Sequence, residues 1–239
     1  MVAKLQENHR QLLASISLFA ELSEDQLSKV AALAAVRNFA AREVVVSQGD
    51  PARALFAIVR GRLKVASSGP DGRDVVLGIM AEGEVFGEVA LLDGGLRSAT
   101  CTAIEPCELL AIDRAQFMEL LEESPGIAVK LLQVLSGRLR RLSQRSEDAA
   151  FLDVPSRLAR SLLDLATRFG ERQRKPQSGV YIAIRLSQQE LGDLVGATRE
   201  SVNKHLGEWT RQGILQMRDG RMVISDLESV RRIARVMDD

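Results

Sequence analysis

Apolar and polar positions change their spacing several times along this 239-residue chain, and each change predicts a different kind of element. Near the start, Ser23 and Gln26 stand three apart, just ahead of Leu27, Val30, Leu33 and Ala34, which recur at helical spacing. A serine hydroxyl that accepts from the third helical amide, with a glutamine reaching back, forms a capping box, so a lead-in helix begins here. From about Arg42 to Ile112 the texture becomes short β-type runs: Val44–Val46, Leu55–Val59, Leu63–Ala66, Val75–Met80, Ser98–Ile104 and Glu108–Ile112. Turns are expected at Gly49-Asp50-Pro51, Gly69-Pro70-Asp71-Gly72 and Asp93-Gly94-Gly95. Short strands so punctuated belong to an antiparallel sandwich or barrel.

Helical spacing then returns. Arg114–Glu122 reads as a short helix, and Ser124-Pro125 starts a long one, because proline lacks the amide that a first turn leaves unused. Along it Ile127, Leu131, Leu135, Leu139 and Leu142 form a ridge, with Arg138, Arg140, Arg141 and Arg145 crowding the distal half. A single chain offers such a ridge too few partners, so a seam between two copies is expected. Gly137, costing about 1 kcal/mol in a helix interior, suits a close approach there. A helix packed on its own strands would show the same ridge.

Pro155 ends that helix and places a hinge at Phe151-Leu-Asp-Val-Pro155. A helix from Pro155 to Phe169 follows, closed by Gly170, and then a polar basic loop to Gly179. A second capping box, Ser187 to Glu190, opens a short helix through Leu191, Leu194 and Val195. Gly196 turns the chain and Thr198 caps a helix to about Gln212, with Val202, Leu206 and Trp209 on its buried side. Leu215–Ile224 reads as a hairpin turning at Asp219-Gly220. Helix, glycine turn and second helix suggest a helix-turn-helix, with the hairpin as a wing. The expected domains are 1–123, 124–150 and 151–239, in an α+β fold.

Composition narrows the function more than it names it. With 46% hydrophobic residues the chain can bury two modest cores, and its zero formal charge hides a more basic part after Ala150, which permits nucleic-acid binding without demanding it. Cys101 and Cys107 are too few for a disulfide framework or for the usual four thiolates of an iron–sulfur cluster. No apolar run is long enough to span a bilayer, and the first ten residues hold no apolar signal core, so no membrane role and a cytoplasmic setting are expected. His9 and His205 stand too far apart to suggest a metal site. No catalytic triad or carboxylate pair is recognisable, so the chain is expected to be no enzyme and to need no cofactor beyond an effector.

Two stretches carry the chemistry. In Gly83–Thr100, Gly87 lets the backbone approach a ligand, Arg97 supplies a positive fork, Ser98 adds a hydroxyl and an amide, and Glu88 is an acceptor suited to a sugar hydroxyl. Taken alone, it also reads as a glycine-turned hairpin with surface charges. In the second, Arg199, Glu200, Asn203 and Lys204 face outward from the start of the second short helix. Arg199 can pair with guanine, Glu200 can accept from cytosine, and Lys204 can reach guanine or phosphate. Gln189, Thr198 and Ser201 suit phosphate oxygens, as do Arg218 and Arg221 on the wing.

The string F-G-E-x-A-L-L-D-x-x-x-R-S-A resembles the cyclic-nucleotide cassette of the bacterial cyclic-AMP receptor protein and fumarate–nitrate regulator family. T-R-E-S-V-N-K-H-L resembles that family's recognition helix. The resemblance implies an N-terminal double-stranded β-helix, a jelly-roll-like cyclic-nucleotide-binding β-roll, followed by a long dimerisation helix and a C-terminal winged helix-turn-helix. Gly87, Glu88 and the Val89 amide would hold ribose and phosphate, and Arg97 and Ser98 the cyclic phosphate. It further implies a homodimer joined through 124–150 that binds palindromic double-stranded DNA, with cyclic AMP, cyclic GMP or another cyclic nucleotide as effector. RNA polymerase is an implied partner, touching the region of the Gly170–Gly179 loop.

Two departures qualify it. Lys204 stands where the family often has arginine, and lysine cannot make the same bidentate fork. Aligned on Phe151-Leu-Asp-Val, Leu142-Ser143 replaces the Thr-Ser pair that the family's dimer helix presents to adenine. Three further readings stay open: the same fold sensing another signal, constitutive DNA binding, or a cyclic-nucleotide module acting on another protein.

Overall fold

The computed structural model describes residues 10, 12–70, 72–172 and 179–236, and the chain divides into two compact units, 1–140 and 141–239. His9, Asp71 of the expected turn and most of the basic loop lie outside the described residues. In the first unit α1 (Glu24–Leu33) precedes β1 (Ala35–Phe39), β2 (Val44–Val46), β3 (Ala54–Arg60), β4 (Leu63–Ser68), β5 (Asp74–Met80) and β6 (Val85–Phe86). Then come α2 (Glu88–Asp93), β7 (Thr100–Ala103), β8 (Cys107–Asp113), α3 (Arg114–Glu123) and α4 (Pro125–Phe151), whose last residues fall beyond Arg140 in the second unit. The strands form two four-stranded antiparallel sheets, ordered β1-β8-β3-β6 and β2-β7-β4-β5.

Strand alternation explains how one sheet serves two cores. On β3, Leu55, Ala57 and Val59 join Leu110 and Ile112 of β8 in a core shared with α1, α3 and the start of α4. The intervening Ile58 joins Leu63, Phe86, Cys101 and Leu109 between the sheets. Side chains two apart share a face, so a strand buried on both faces reads as a continuous apolar run, as Leu55–Val59 does. At the entrance to the fold, Ser23 and Gln26 make the expected capping box, and Gln26 Nε2 donates to Ser124 Oγ at 2.8 Å, joining α1 to the start of α4.

The long helix divides its ridge. Ile127 and Leu131 are buried and Leu135 packs beside them against the roll's own core. Leu139 and Leu142 are 65% and 49% exposed, in company with exposed Val129 and Leu132. The ridge expected as one seam is therefore divided along its length, its first half packed on the roll and its distal leucines exposed.

In the second unit α5 (Val154–Phe169) begins one residue earlier than expected, with Asp153 as N-cap accepting from the Ser156 amide and Pro155 in the first turn. It is followed by β9 (Gly170–Arg172), β10 (Val180–Ile182), α6 (Gln188–Val195), α7 (Arg199–Arg211), β11 (Leu215–Arg218), β12 (Arg221–Ile224) and α8 (Leu227–Ala234). The wing strands belong to a third antiparallel sheet, β11-β12-β10-β9. The second capping box is present at Ser187 and Glu190, and Gly196 adopts φ 66° to end α6. Between α6 and α7 the chain turns so tightly that a Cβ on Gly192 would lie 2.6 Å from the Ala197 carbonyl oxygen. Arg157 of α5 clamps this turn, donating from Nε to the Val195 carbonyl at 2.9 Å and from Nη1 to that of Leu152 at 2.7 Å.

Candidate functional site

Gly87 ends β6 and caps α2 at φ 86°, a conformation that other residues adopt only with strain. It is needed for a second reason. Arg97 donates from Nη1 to the Gly87 carbonyl at 2.8 Å, and a Cβ at position 87 would come within 2.2 Å of that nitrogen. Nη2 of Arg97 donates to the Ala54 carbonyl at 2.6 Å, and the guanidinium carbon sits 5.8 Å from the centre of the Phe56 ring. The Arg97 backbone is pinned to the turn at residues 49–50 by two hydrogen bonds of 2.8 Å. At 5% exposure, burial pulls Arg97 below the usual guanidinium pKa, while the nearby acids Glu88 and Asp50 oppose that shift.

Glu88 is the first residue of α2 and only 1% exposed. Its Oε1 accepts from Nη1 of Arg138, whose Nη2 donates to the Val85 carbonyl. Oε2 is buried and has no hydrogen-bond partner among the described residues. A buried carboxylate oxygen without a donor is costly, and a hydroxyl or amide donor is the kind of group that would satisfy it. The structure thus brings Gly87, Glu88 and Arg97 together, with exposed Val89 and Ser98 beside them. Leu142 and Ser143 are exposed on α4, one turn beyond Arg138. Cys101 lies in β7 and is buried, and burial pushes its thiol up to about 12, which keeps it protonated and unreactive.

Arg138 is the site residue that the sequence reading missed. The signal was there: Leu131, Leu135 and Arg138 fall on one helix face, and the first two are packed on the roll. An arginine continuing an apolar face needs an acid waiting for it.

On the other unit Thr198 caps α7, its Oγ1 accepting from the Ser201 amide at 3.2 Å. Arg199, Glu200, Asn203 and Lys204 are exposed over the next turn and a half, and Val202 and Trp209 are buried behind them. The backbone amide and the Thr198 hydroxyl hold the Glu200 carboxyl below its usual range, so it stays an acceptor. Gln189 is exposed and donates to Asp193 at 2.7 Å. On the wing, Arg218 is exposed, whereas Arg221 is half-buried: Nη1 donates to the Tyr181 hydroxyl at 2.8 Å and the guanidinium lies 5.6 Å from the ring centre. Among the described residues no three His, Cys, Asp or Glu side chains come together as a metal site, and no helix is long and apolar enough to cross a membrane.

Both halves of this geometry match known families. Residues 36–124 match the cyclic nucleotide-binding domain, and residues 156–233 match the Crp-like helix-turn-helix domain. The chain is 35% identical over 198 residues to the CRP-like cAMP-activated global transcriptional regulator of Mycobacterium tuberculosis, covering 83% of this chain and 87% of that protein. It is 32% identical over 205 residues to the cAMP-activated global transcriptional regulator Vfr of Pseudomonas aeruginosa, covering 83% and 92%. Among solved structures, the c-di-GMP-responsive global regulator CLP of Xanthomonas campestris superposes with a TM-score of 0.73 at 29% identity, over 84% of this chain and 99% of that one. A sensor roll and a helix-turn-helix, matched together across most of the length of characterised regulators, decide the assignment: the chain belongs to the cyclic-AMP receptor protein and fumarate–nitrate regulator family of DNA-binding transcription regulators.

Proposed function

We propose that this chain is a homodimeric transcription regulator gated by a cyclic mononucleotide. One observation carries the ligand reading: a buried carboxylate oxygen lacking a donor, on Glu88, lies in the same loop as a buried arginine, Arg97. A ligand offering both a hydroxyl donor and an anion satisfies the pair, and a ribose cyclic phosphate offers both. Glu88 Oε2 accepts from the sugar hydroxyl, Arg97 and Ser98 hold the phosphate, and the Val89 amide with the open backbone at Gly87 completes the cradle. Two relatives are named as cyclic-AMP-activated, which makes cyclic AMP the first candidate.

The domains are 1–123 for the sensor roll, 124–150 for the dimerising helix and 151–239 for DNA binding. Exposed Val129, Leu132, Leu139 and Leu142 are the apolar face of α4 offered to a second copy. Such a dimer presents two α7 helices to successive major grooves of a palindrome. Arg199, Glu200 and Lys204 meet base edges there, while Gln189, Thr198, Ser201, Arg218 and Arg221 lie toward phosphates. RNA polymerase is the further partner, and the setting is the cytoplasm.

Calorimetric titration of the full-length protein with cyclic AMP, cyclic GMP and cyclic di-GMP tests the ligand, with a palindromic duplex binding assay run on the same samples. Saturable binding of a cyclic mononucleotide that tightens DNA binding is expected. DNA affinity indifferent to all three nucleotides overturns the gated reading.

A further inference from the structure

Only Leu152 and Asp153 separate the end of α4 from the start of α5, and the backbone dihedrals of so short a link set the angle between the two helices. A half-buried ion pair closes over that link. Arg160, in the second turn of α5, donates from Nη1 to Asp148 Oδ1 at 2.6 Å, near the end of α4. Gln144 steadies the same oxygen, donating from Nε2 at 3.0 Å.

The same guanidinium also caps a third helix. Nε of Arg160 donates at 2.9 Å to the carbonyl of Ala234, the buried last residue of α8, where the final carbonyls of a helix have no partner within it and a positive group is favoured. The next residue, Arg235, reaches Asp153 Oδ2 at 3.1 Å, but both of those side chains are more than half exposed, so that pair adds little. The Arg160 and Asp148 side chains are only 28% and 14% exposed, which makes theirs the stronger tie. One arginine therefore holds the distal end of α4, α5 and the end of α8 together, all within the second unit.

We infer that Arg160 and Asp148 are positioning residues that fix the spacing between the two DNA half-sites. This role rests on the proposed reading of α4 as the dimer seam and α7 as the helix in the major groove. Leu142 of that seam stands within two turns of Asp148 on the same helix, and α7 belongs to the same unit as α5, so the angle at the link decides how far each α7 stands from the two-fold axis. B-DNA advances about 3.4 Å and turns about 34–36° with each base pair, so one extra base pair displaces and rotates one half-site against the other. A dimer with its link tied cannot follow that rotation. A dimer with its link released can.

Fluorescence anisotropy with the full-length protein and saturating cyclic AMP tests this, on palindromic duplexes whose half-sites stand at the preferred spacing, one base pair closer and one base pair farther, and on a duplex with a single half-site. Wild type is expected to lose about tenfold or more when the spacing shifts by one base pair, the scale of a lost base-pair contact. The tie can impose no more strain than it is worth, so Asp148→Ala should shrink that penalty by about threefold, the upper range for a partly exposed ion pair. Alanine is a good helix former, so α4 survives this change. Arg160→Ala, which also releases the Ala234 carbonyl, should shrink the penalty at least as much, and both variants should bind the single half-site as wild type does. Selectivity for spacing that is the same in wild type and in both variants overturns the positioning role and leaves the tie as a brace for stability. Variants that lose affinity for the single half-site in step with the palindromes overturn it too, because the damage then lies in the helix-turn-helix. A wild type indifferent to spacing would sink the dimer reading itself, and the positioning role with it.

Discussion

Arg97 and Arg199 are the two arginines proposed to meet an anionic or polar partner, and their surroundings are opposite. Arg97 is buried against an aromatic ring with two nitrogens ending on backbone carbonyls, whereas Arg199 stands exposed in the first turn of α7. Glu88 and Glu200 repeat the contrast, one buried on Arg138 and the other exposed beside its helix cap. A small ligand brings few contacts, so its site must be preorganised: charge is fixed in advance, away from water, where each interaction is worth more. Duplex DNA brings a large charged surface of its own, so the protein can leave its readers exposed. The sensor's charges are therefore also part of the roll's stability, and the reader's charges are not.

The largest expected effect follows from that coupling. Arg138→Ala leaves Glu88 buried without its ion-pair partner and frees the Val85 carbonyl, which should cost about 3 kcal/mol of stability in urea unfolding. Arg199→Ala should change stability by less than about 0.5 kcal/mol, as exposed substitutions do. Equal midpoints for the two variants would erase the distinction between buried and exposed charge.

Ligand affinity sharpens it at the next scale. Arg97→Ala should weaken cyclic-nucleotide binding by about 2 kcal/mol or more, the size of a lost charged hydrogen-bonding partner. It should not leave the fold untouched, since the Gly87 and Ala54 carbonyls lose their donor. Gly87→Ala should act in the same direction, because a Cβ there meets the Arg97 guanidinium and the Ala54 carbonyl and forces a strained positive φ. A nucleotide affinity unchanged in either variant, read by calorimetry, removes Arg97 from the site. On the DNA side, Arg199→Ala should cost about 1–3 kcal/mol on the specific palindrome and far less on random duplex, measured by fluorescence anisotropy at matched salt. Equal losses on both duplexes make Arg199 a phosphate contact.

What could be read ahead of the structure divides along the same line. The exposed reader was legible almost residue by residue, because caps, turns and helix faces are local: Ser187 with Glu190, Gly196 and Thr198 each declare themselves within four positions. Much of the roll was legible for the same reason, but β1 was not. Its residues Ala35–Phe39 are all exposed or half-buried, so no clean alternation marks them. The two-residue β6 and the short α2 were too brief for any periodicity to show. Glu88 was recognised as an acceptor, but its ion pair with Arg138 joins positions 50 residues apart, and only the packing of α4 on the roll brings them together. Arg221 was equally non-local, since its partner Tyr181 lies on a neighbouring strand of the sheet.

The smallest effect tests whether base recognition belongs to the buried kind of site or the exposed kind. Leu142 and Ser143 are exposed on α4, and the resemblance aligns them with the family's Thr-Ser pair. Ser143 retains a hydroxyl, but a leucine offers the adenine amino group nothing. Sites built around hydrogen bonds reject a mismatched partner strongly because their own polar groups are then left unpaired, and a site without such groups discriminates weakly. Wild type is therefore expected to separate cyclic AMP from cyclic GMP by less than about a hundredfold in competition binding. Leu142→Thr should widen the gap toward cyclic AMP by about 1 kcal/mol, the net worth of one ordinary hydrogen bond, with stability unchanged. A wild-type preference of several thousandfold would mean that the base is read by buried groups of the roll, and the division between a preorganised phosphate–ribose site and a loosely held base would fall.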